Sequence, residues 1–139
     1  PVPMPKVTYL LLEHPEFRGR KGIYLDQPGS VQSLRFFALW NQAVGILIAR
    51  EDPMVYQCPD YHTALAPWYA LRACGKDKKP PRVAVVLHNA EYQGAISSQQ
   101  LNRKQVAKLA SILDFPVDLV RTHMMIEGGF NMLQAAMEY

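Results

Sequence analysis

Arg82-Val-Ala-Val-Val-Leu-His-Asn-Ala-Glu-Tyr-Gln-Gly94 is the stretch whose reading decides the fold. Val83 to Leu87 run apolar without a break, mostly β-branched, after a Lys/Pro-rich segment. A short unbroken run of this kind predicts a strand covered on both faces, as in a parallel sheet. The chemistry then switches abruptly to His88, Asn89, Glu91, Tyr92, Gln93 and Gly94. In open α/β sheets, ligands bind just beyond the carboxyl ends of the strands. The stretch therefore predicts a strand that empties into a binding site.

Upstream, Met54 to Cys58 predicts a second short strand, ending in Pro59-Asp-Tyr-His-Thr-Ala64. Asp60 is placed to cap a helix from about Tyr61 to Cys74, and Gly75 to stop it. Strand, helix and strand with short connections make a βαβ unit, whose strands run parallel. Both carboxyl ends then lie on one edge, which brings Asp60 and His88 to one rim. Lys6 to His14 predicts a first strand, ended by Pro15, and its His14 is expected on the same rim.

Working outward, Ser30 caps a predicted helix to about Arg50, with Leu34, Phe37, Ala38, Val44, Leu47 and Ile48 as its apolar face. Asn102 caps another to about Leu113; Val117 to Met125 and Phe130 to Tyr139 are two more. Glu16 to Gly29 reads as a solvated loop, with a phosphate- or sugar-facing loop as its alternative; Lys76 to Arg82 reads as a charged turn, and Ala95 to Leu101 as loop. The expected architecture is α/β: a Rossmann-like three-layer α/β/α domain with a mainly parallel sheet, residues 1–139 forming one domain.

The 139 residues are 49% hydrophobic, enough for a sizeable core. A net charge of +3, scattered along the chain, gives no basic stripe and no case for nucleic acid. No apolar run approaches the roughly 20 residues that span a bilayer. Cys58 and Cys74 make no disulfide framework, so a reducing compartment is expected. The chain begins just before a strand pattern and stops inside a helical one at Met137-Glu-Tyr139, which reads as a piece of a longer polypeptide.

Several chemistries lack their signatures. His14, His62, His88, His123 and Asp60 are potential metal ligands, but no HExxH or CxxC spacing organises them. There is no GxSxG elbow for a nucleophilic serine and no GxGxxG for a dinucleotide. What is left is a rim of Asp, His, Asn, Tyr and Gln with a Gly that permits close backbone approach. Such groups hydrogen-bond sugar hydroxyls.

Leu87-His-Asn-Ala-Glu-Tyr-Gln-Gly94 resembles the strand end of glycogen and starch synthases, and Pro59-Asp-Tyr-His-Thr-Ala-Leu-Ala-Pro67 is similar to a second segment of theirs at the matching distance upstream. The form of the first motif, Trp40-Asn-Gln42 and Phe130-Asn-Met-Leu-Gln-Ala135 look most like the synthase domain of fungal cell-wall α-1,3-glucan synthases. The resemblance runs from about Lys6 to the end. It implies glycosyltransferase family 5: retaining enzymes of GT-B fold, with two Rossmann-like domains facing a cleft. These move glucose from a nucleotide-glucose donor to an α-glucan acceptor, with no metal and no cofactor beyond the donor itself. By the same resemblance, His88 is the catalytic-site histidine that touches the transferred glucose, and Asp60, His62, Asn89, Tyr92, Gln93 and Gly94 bind substrate. The implied location is the cytoplasmic side of a membrane-associated cell-wall synthase, with a plastid as the alternative.

The chain departs from that pattern in three ways. The family's N-terminal Lys-x-Gly-Gly loop would precede Pro1. The nucleotide-holding C-terminal domain is not in the sequence. Gln134 stands where many members carry a basic residue. The chain thus reads as the acceptor-side half of an enzyme, expected to be inactive alone. The alternatives are a non-catalytic α/β module binding glucan or a partner protein, and a nucleotide-binding domain of unrelated chemistry.

Overall fold

A computed structural model describes residues 6–18, 30–75, 79 and 81–139. Residues 19–29 of the expected Glu16–Gly29 loop, and residues 76–78 and 80 of the expected Lys76–Arg82 turn, lie outside the described residues. Helix α1 spans Val31–Glu51 and starts where Ser30 predicts, its hydroxyl accepting the Ser33 N–H at 3.1 Å. The buried stripe of α1 is Leu34, Phe37, Ala38, Asn41, Gly45 and Ile48, together with Ser33. Its spacing of three and four residues is that of one helix face. Val44 and Leu47, expected in that face, are only half-buried. Asn41 and Gly45 hold its centre instead.

Gly45 is there because helix α2, Ala66–Cys74, crosses too closely for a side chain. A Cβ at Gly45 would lie 2.5 Å from Tyr69 Cβ and 2.9 Å from the Ala70 backbone nitrogen. Gly to Ala inside a helix ordinarily gains about 1 kcal/mol of propensity. Here the obstructing atoms are backbone and Cβ, which cannot rotate away, and overpacking costs roughly 1–3 kcal/mol. Gly45→Ala is therefore expected to lower the melting temperature. An unchanged or raised value would mean that the two helices can separate without loss.

Strands β1, Val55–Pro59, and β2, Arg82–Val86, flank α2 and pair in parallel, from Val55 opposite Arg82 to Pro59 opposite Val86. The βαβ reading holds. The expectation that β2 is covered on both faces does not. Val83 and Val85 pack inward with Tyr56 and Cys58, while Arg82 and Ala84 are exposed, as are Val55 on β1 and Leu87 just past β2. Helices cover only one face of this two-stranded pair among the described residues, so burial alternates along the strand.

Lys6 to His14 joins no ladder. Tyr9 and Leu11 are 85% and 95% exposed, and no described strand pairs with them. A β-prone run becomes a strand only when an edge receives its N–H and C=O groups. His14 consequently ends no strand. It precedes a 3-10 turn, Pro15–Phe17, whose Glu16 N–H its Nδ1 accepts at 3.2 Å. Phe17 then docks edge-on against Phe36 and Trp40 of α1.

The carboxyl-terminal third carries strand β3 (Ala95–Ile96), α3 (Arg103–Leu113), α4 (Val117–His123), β4 (Met125–Ile126), β5 (Gly129–Asn131) and α5 (Met132–Met137). Asn102 caps α3 as expected, accepting the Lys104 and Gln105 N–H groups. The sequence reading misses a three-stranded antiparallel sheet, ordered β3-β5-β4. Its hairpin turns at Glu127 and Gly128, both with positive φ, the twist that tight hairpins require. Phe130 is therefore in a strand, and the last helix starts at Met132, where Asn131 accepts the Gln134 N–H. The α/β class stands, with the parallel part limited to two strands among the described residues.

Helix α2 ties these parts together. Trp68 donates its indole N–H to the Ala135 carbonyl at 2.6 Å, and Tyr69 its hydroxyl to the Leu113 carbonyl at 2.6 Å. No helix among the described residues is long and apolar enough to cross a membrane.

Candidate functional site at the ends of the parallel strands

Parallel pairing brings the chain out of β1 and β2 on one edge. The Asp60 N–H continues the ladder, donating to the Val86 carbonyl at 2.9 Å. Asp60 itself has φ 53° and ψ −172°, a region adopted almost only by glycine. This geometry turns the carboxylate away from the following helix and toward β2. Oδ1 accepts the His88 N–H at 2.7 Å and the Asn89 N–H at 3.4 Å, while Oδ2 lies 3.0 Å from His88 Nδ1. The expected capping role of Asp60 is thus replaced by a clasp between two strand ends. A 3-10 turn, Tyr61–Thr63, intervenes before α2, and Asp60 makes no side-chain cap to it.

The α2 cap comes from a residue that sequence reading passed over as site machinery. Asn41 Oδ1 accepts the Leu65 and Ala66 N–H groups at 3.1 and 2.8 Å. Its Nδ2 donates to the Phe37 and His62 carbonyls at 2.7 and 2.8 Å. The signal for it was present: a lone amide at the centre of an apolar helix stripe has to find partners.

A carboxylate only accepts, so the bond to Asp60 assigns the proton to His88 Nδ1. The side chain of His88 is 65% exposed, and its far edge looks outward. The Asp60 carboxyl is held below the usual aspartate range, chiefly by the His88 N–H. Desolvation opposes this, and the His88 ring and the Asn89 N–H assist it. Because the folded value is lowered, the stabilisation is complete above the ordinary aspartate value and is lost as pH falls through the lower folded value. The stability gap between wild type and Asp60→Asn is expected to be widest near neutrality and to close in acid. Denaturation curves of both proteins at several pH values check this, and a gap that does not change with pH excludes it.

The other expected site residues divide. Asn89 is exposed, and its Oδ1 accepts the Glu91 N–H at 2.8 Å, an Asx turn that shapes the loop. Tyr92 is exposed on the same loop. Gln93 faces inward: Oε1 accepts from Asn131 Nδ2 at 2.7 Å, and Nε2 donates to the Ala90 carbonyl at 3.0 Å. The Gln93 and Gly94 carbonyls accept the Leu133 and Met132 N–H groups. Gly94 makes its close approach to Tyr61 and Met132. His62 packs its ring on Tyr61, 3.9 Å between centroids, and edge-on to Phe37. Burial lowers its pKa, against the pull of the Asp60 charge. His14 and His123 belong to other parts of the surface: His14 serves the Pro15–Phe17 turn, and His123 stacks on Trp68. Among the described residues no group of three or more His, Cys, Asp or Glu is placed to hold a metal ion.

The rim thus joins an oriented, solvent-open imidazole to an exposed loop bearing amide and phenol groups. Its exposed side chains are hydrogen-bond donors and acceptors. The sequence model of the starch synthase catalytic domain matches residues 2–139. The chain is 30% identical to the cell wall alpha-1,3-glucan synthase mok11 and 31% identical to ags1, both of Schizosaccharomyces pombe. Each match covers 96% of this chain and 5% of the relative. It is also 30% identical to a glycogen synthase of Lactobacillus acidophilus, over 68% of this chain and 20% of that protein. The chain therefore spans a small part of the length of the relatives it matches. No solved structure matches it. With the matched region running through both strand-end segments, this chain belongs to the starch synthase catalytic domain family.

Proposed function

We propose that the chain is the acceptor-side part of a retaining glucosyltransferase, one that moves glucose from a nucleotide-glucose donor to an α-glucan. In this reading residues 1–139 form one domain, the Rossmann-like three-layer half of a GT-B fold, and a second domain supplies most of the contacts to the nucleotide. The observation that carries it is the clasp between Asp60 and His88, which fixes a solvent-open histidine where two parallel strands end. His88 contacts the transferred glucose. Its ring and the neighbouring backbone dipoles hold the sugar hydroxyls and stabilise the charge that develops near the anomeric carbon. Asp60, Asn89 and Tyr92 bind substrate from the rim, and His62, Gln93 and Gly94 complete the binding surface behind them. No metal enters this chemistry. The α-glucan acceptor is the partner, and the domain works on the cytoplasmic face of a cell-wall synthase.

Titration of the isotopically labelled chain with maltoheptaose tests this. Saturable shifts at His88, Asn89 and Tyr92, weakened by His88→Ala, are the expected result. No perturbation at the rim up to tens of millimolar sugar would overturn it. Sugar binding by a full-length gene product that transfers no glucose from any nucleotide-glucose would favour the non-catalytic glucan-binding module.

A further inference from the structure

Asp60 holds a backbone conformation that a residue with a Cβ adopts only when its surroundings over-determine it. On the strand side the constraints are those of the clasp: the Asp60 N–H on Val86, and the His88 N–H on the carboxylate. Those bonds alone leave the outgoing chain free to swing. Several side chains close that freedom, among them Tyr56, whose hydroxyl donates to the Thr63 carbonyl at 3.4 Å, and Cys58, whose thiol lies 3.9 Å from the Asp60 carbonyl. Thr63 donates its hydroxyl back to the Pro59 carbonyl at 2.9 Å, spanning Asp60, and the same oxygen lies 3.3 Å from Cys58 Sγ. Asn41, fully buried on α1, grips the His62 carbonyl and the Leu65 and Ala66 N–H groups. All four hydrogen-bonding positions of its amide are in use. A buried, fully bonded amide has one low-energy arrangement, so the turn it holds is as fixed as the helix it sits on.

The geometry points to Asn41 and Thr63 as positioning residues that brace the Asp60 turn from α1 and from the end of β1, and thereby fix the tautomer and orientation of His88. This rests on the functional reading above only in that the orientation of His88 matters to substrate. The brace itself is a property of this chain and is tested without sugar.

The test is ring-nitrogen NMR of His88 and carboxyl NMR of Asp60 in the folded chain. In wild type, the Nδ1-protonated form of the neutral ring dominates, and the Asp60 carboxyl titrates below its ordinary range. Thr63→Val keeps the shape of the side chain and removes the bond to Pro59. It is expected to shift the tautomer ratio by about tenfold, the worth of one bond to a charged group, and to move the Asp60 titration up toward the ordinary value. Thr63→Ser restores both. Asn41→Ala is expected to do the same, and where it does not fold, Thr63→Val decides. A variant that melts earlier yet keeps the wild-type tautomer ratio and Asp60 titration would overturn the proposal, because a merely structural role lowers stability without moving either. An intact brace in a chain that binds no maltoheptaose would leave the brace standing and the glucan reading refuted.

Discussion

His88→Ala in the full-length gene product is expected to cut glucosyl transfer by about 100-fold or more, the scale of losing a positioned transition-state donor. Its melting temperature should fall by no more than a few degrees. The two halves of this expectation have different origins. The His88 side chain is 65% exposed, and among the described residues its ring bonds the Asp60 carboxylate, whose side chain is 20% exposed. Exposed pairs of this kind contribute at most about 1 kcal/mol. The backbone N–H that anchors the carboxylate survives the substitution. A structural histidine enclosed by apolar partners would behave in the opposite way. Its loss would unfold the domain, and turnover would fall only in proportion to folded protein. Thermal melts and initial rates on one preparation separate the cases. A folded His88→Ala enzyme of near-normal rate would remove His88 from the chemistry.

Gly94→Ala should be the most damaging single methyl in the site region, at about 2–5 kcal/mol. Two costs add. Gly94 has φ +64°, where a Cβ costs roughly 1–2 kcal/mol. The new methyl would also stand 2.6 Å from Tyr61 Cδ2 and 3.0 Å from Met132 Cβ, an overpacking worth about 1–3 kcal/mol. The Met132 thioether can bend aside, but its Cβ cannot. The Tyr61 ring is wedged between His62 and Phe37. Urea denaturation of the variant measures the loss. A cost under about 1 kcal/mol would mean that the loop re-forms around the methyl, and that the Gln93 and Gly94 bonds to α5 are not what fixes it.

Much of this was legible in the sequence because it is local. The strand in the Val83–Leu87 run, the Ser30 and Asn102 caps and the Gly75 stop each depend on a few neighbouring residues, and each is found within a residue of where it was read, although the strand is Arg82–Val86 and is covered on one face rather than two. The failures are non-local. Lys6–His14 has strand composition, but the described strands are paired elsewhere. Met125–Asn131 is too short for period to distinguish helix from hairpin, and its positive-φ pair is Glu127 and Gly128 rather than the two adjacent glycines. Asp60 carries the residue type of a helix cap. Its backbone angles, which no sequence pattern reports, send the carboxylate to His88, and the cap falls to Asn41 from another helix.

The paired anchors on α2 also bear on the order in which the molecule is assembled. The Trp68 indole meets the Ala135 carbonyl across 67 residues of chain, and the Tyr69 hydroxyl meets Leu113 across 44. During synthesis both donors emerge long before their acceptors. Until Ala135 has left the ribosome, Trp68 cannot be buried without an orphaned N–H. The seating of α2 against the carboxyl-terminal third is therefore completed late in synthesis. Contacts so distant in sequence slow folding and lengthen the exposure of half-made sheet. A nascent chain halted before Ala135 should be a chaperone client rather than a folded subdomain.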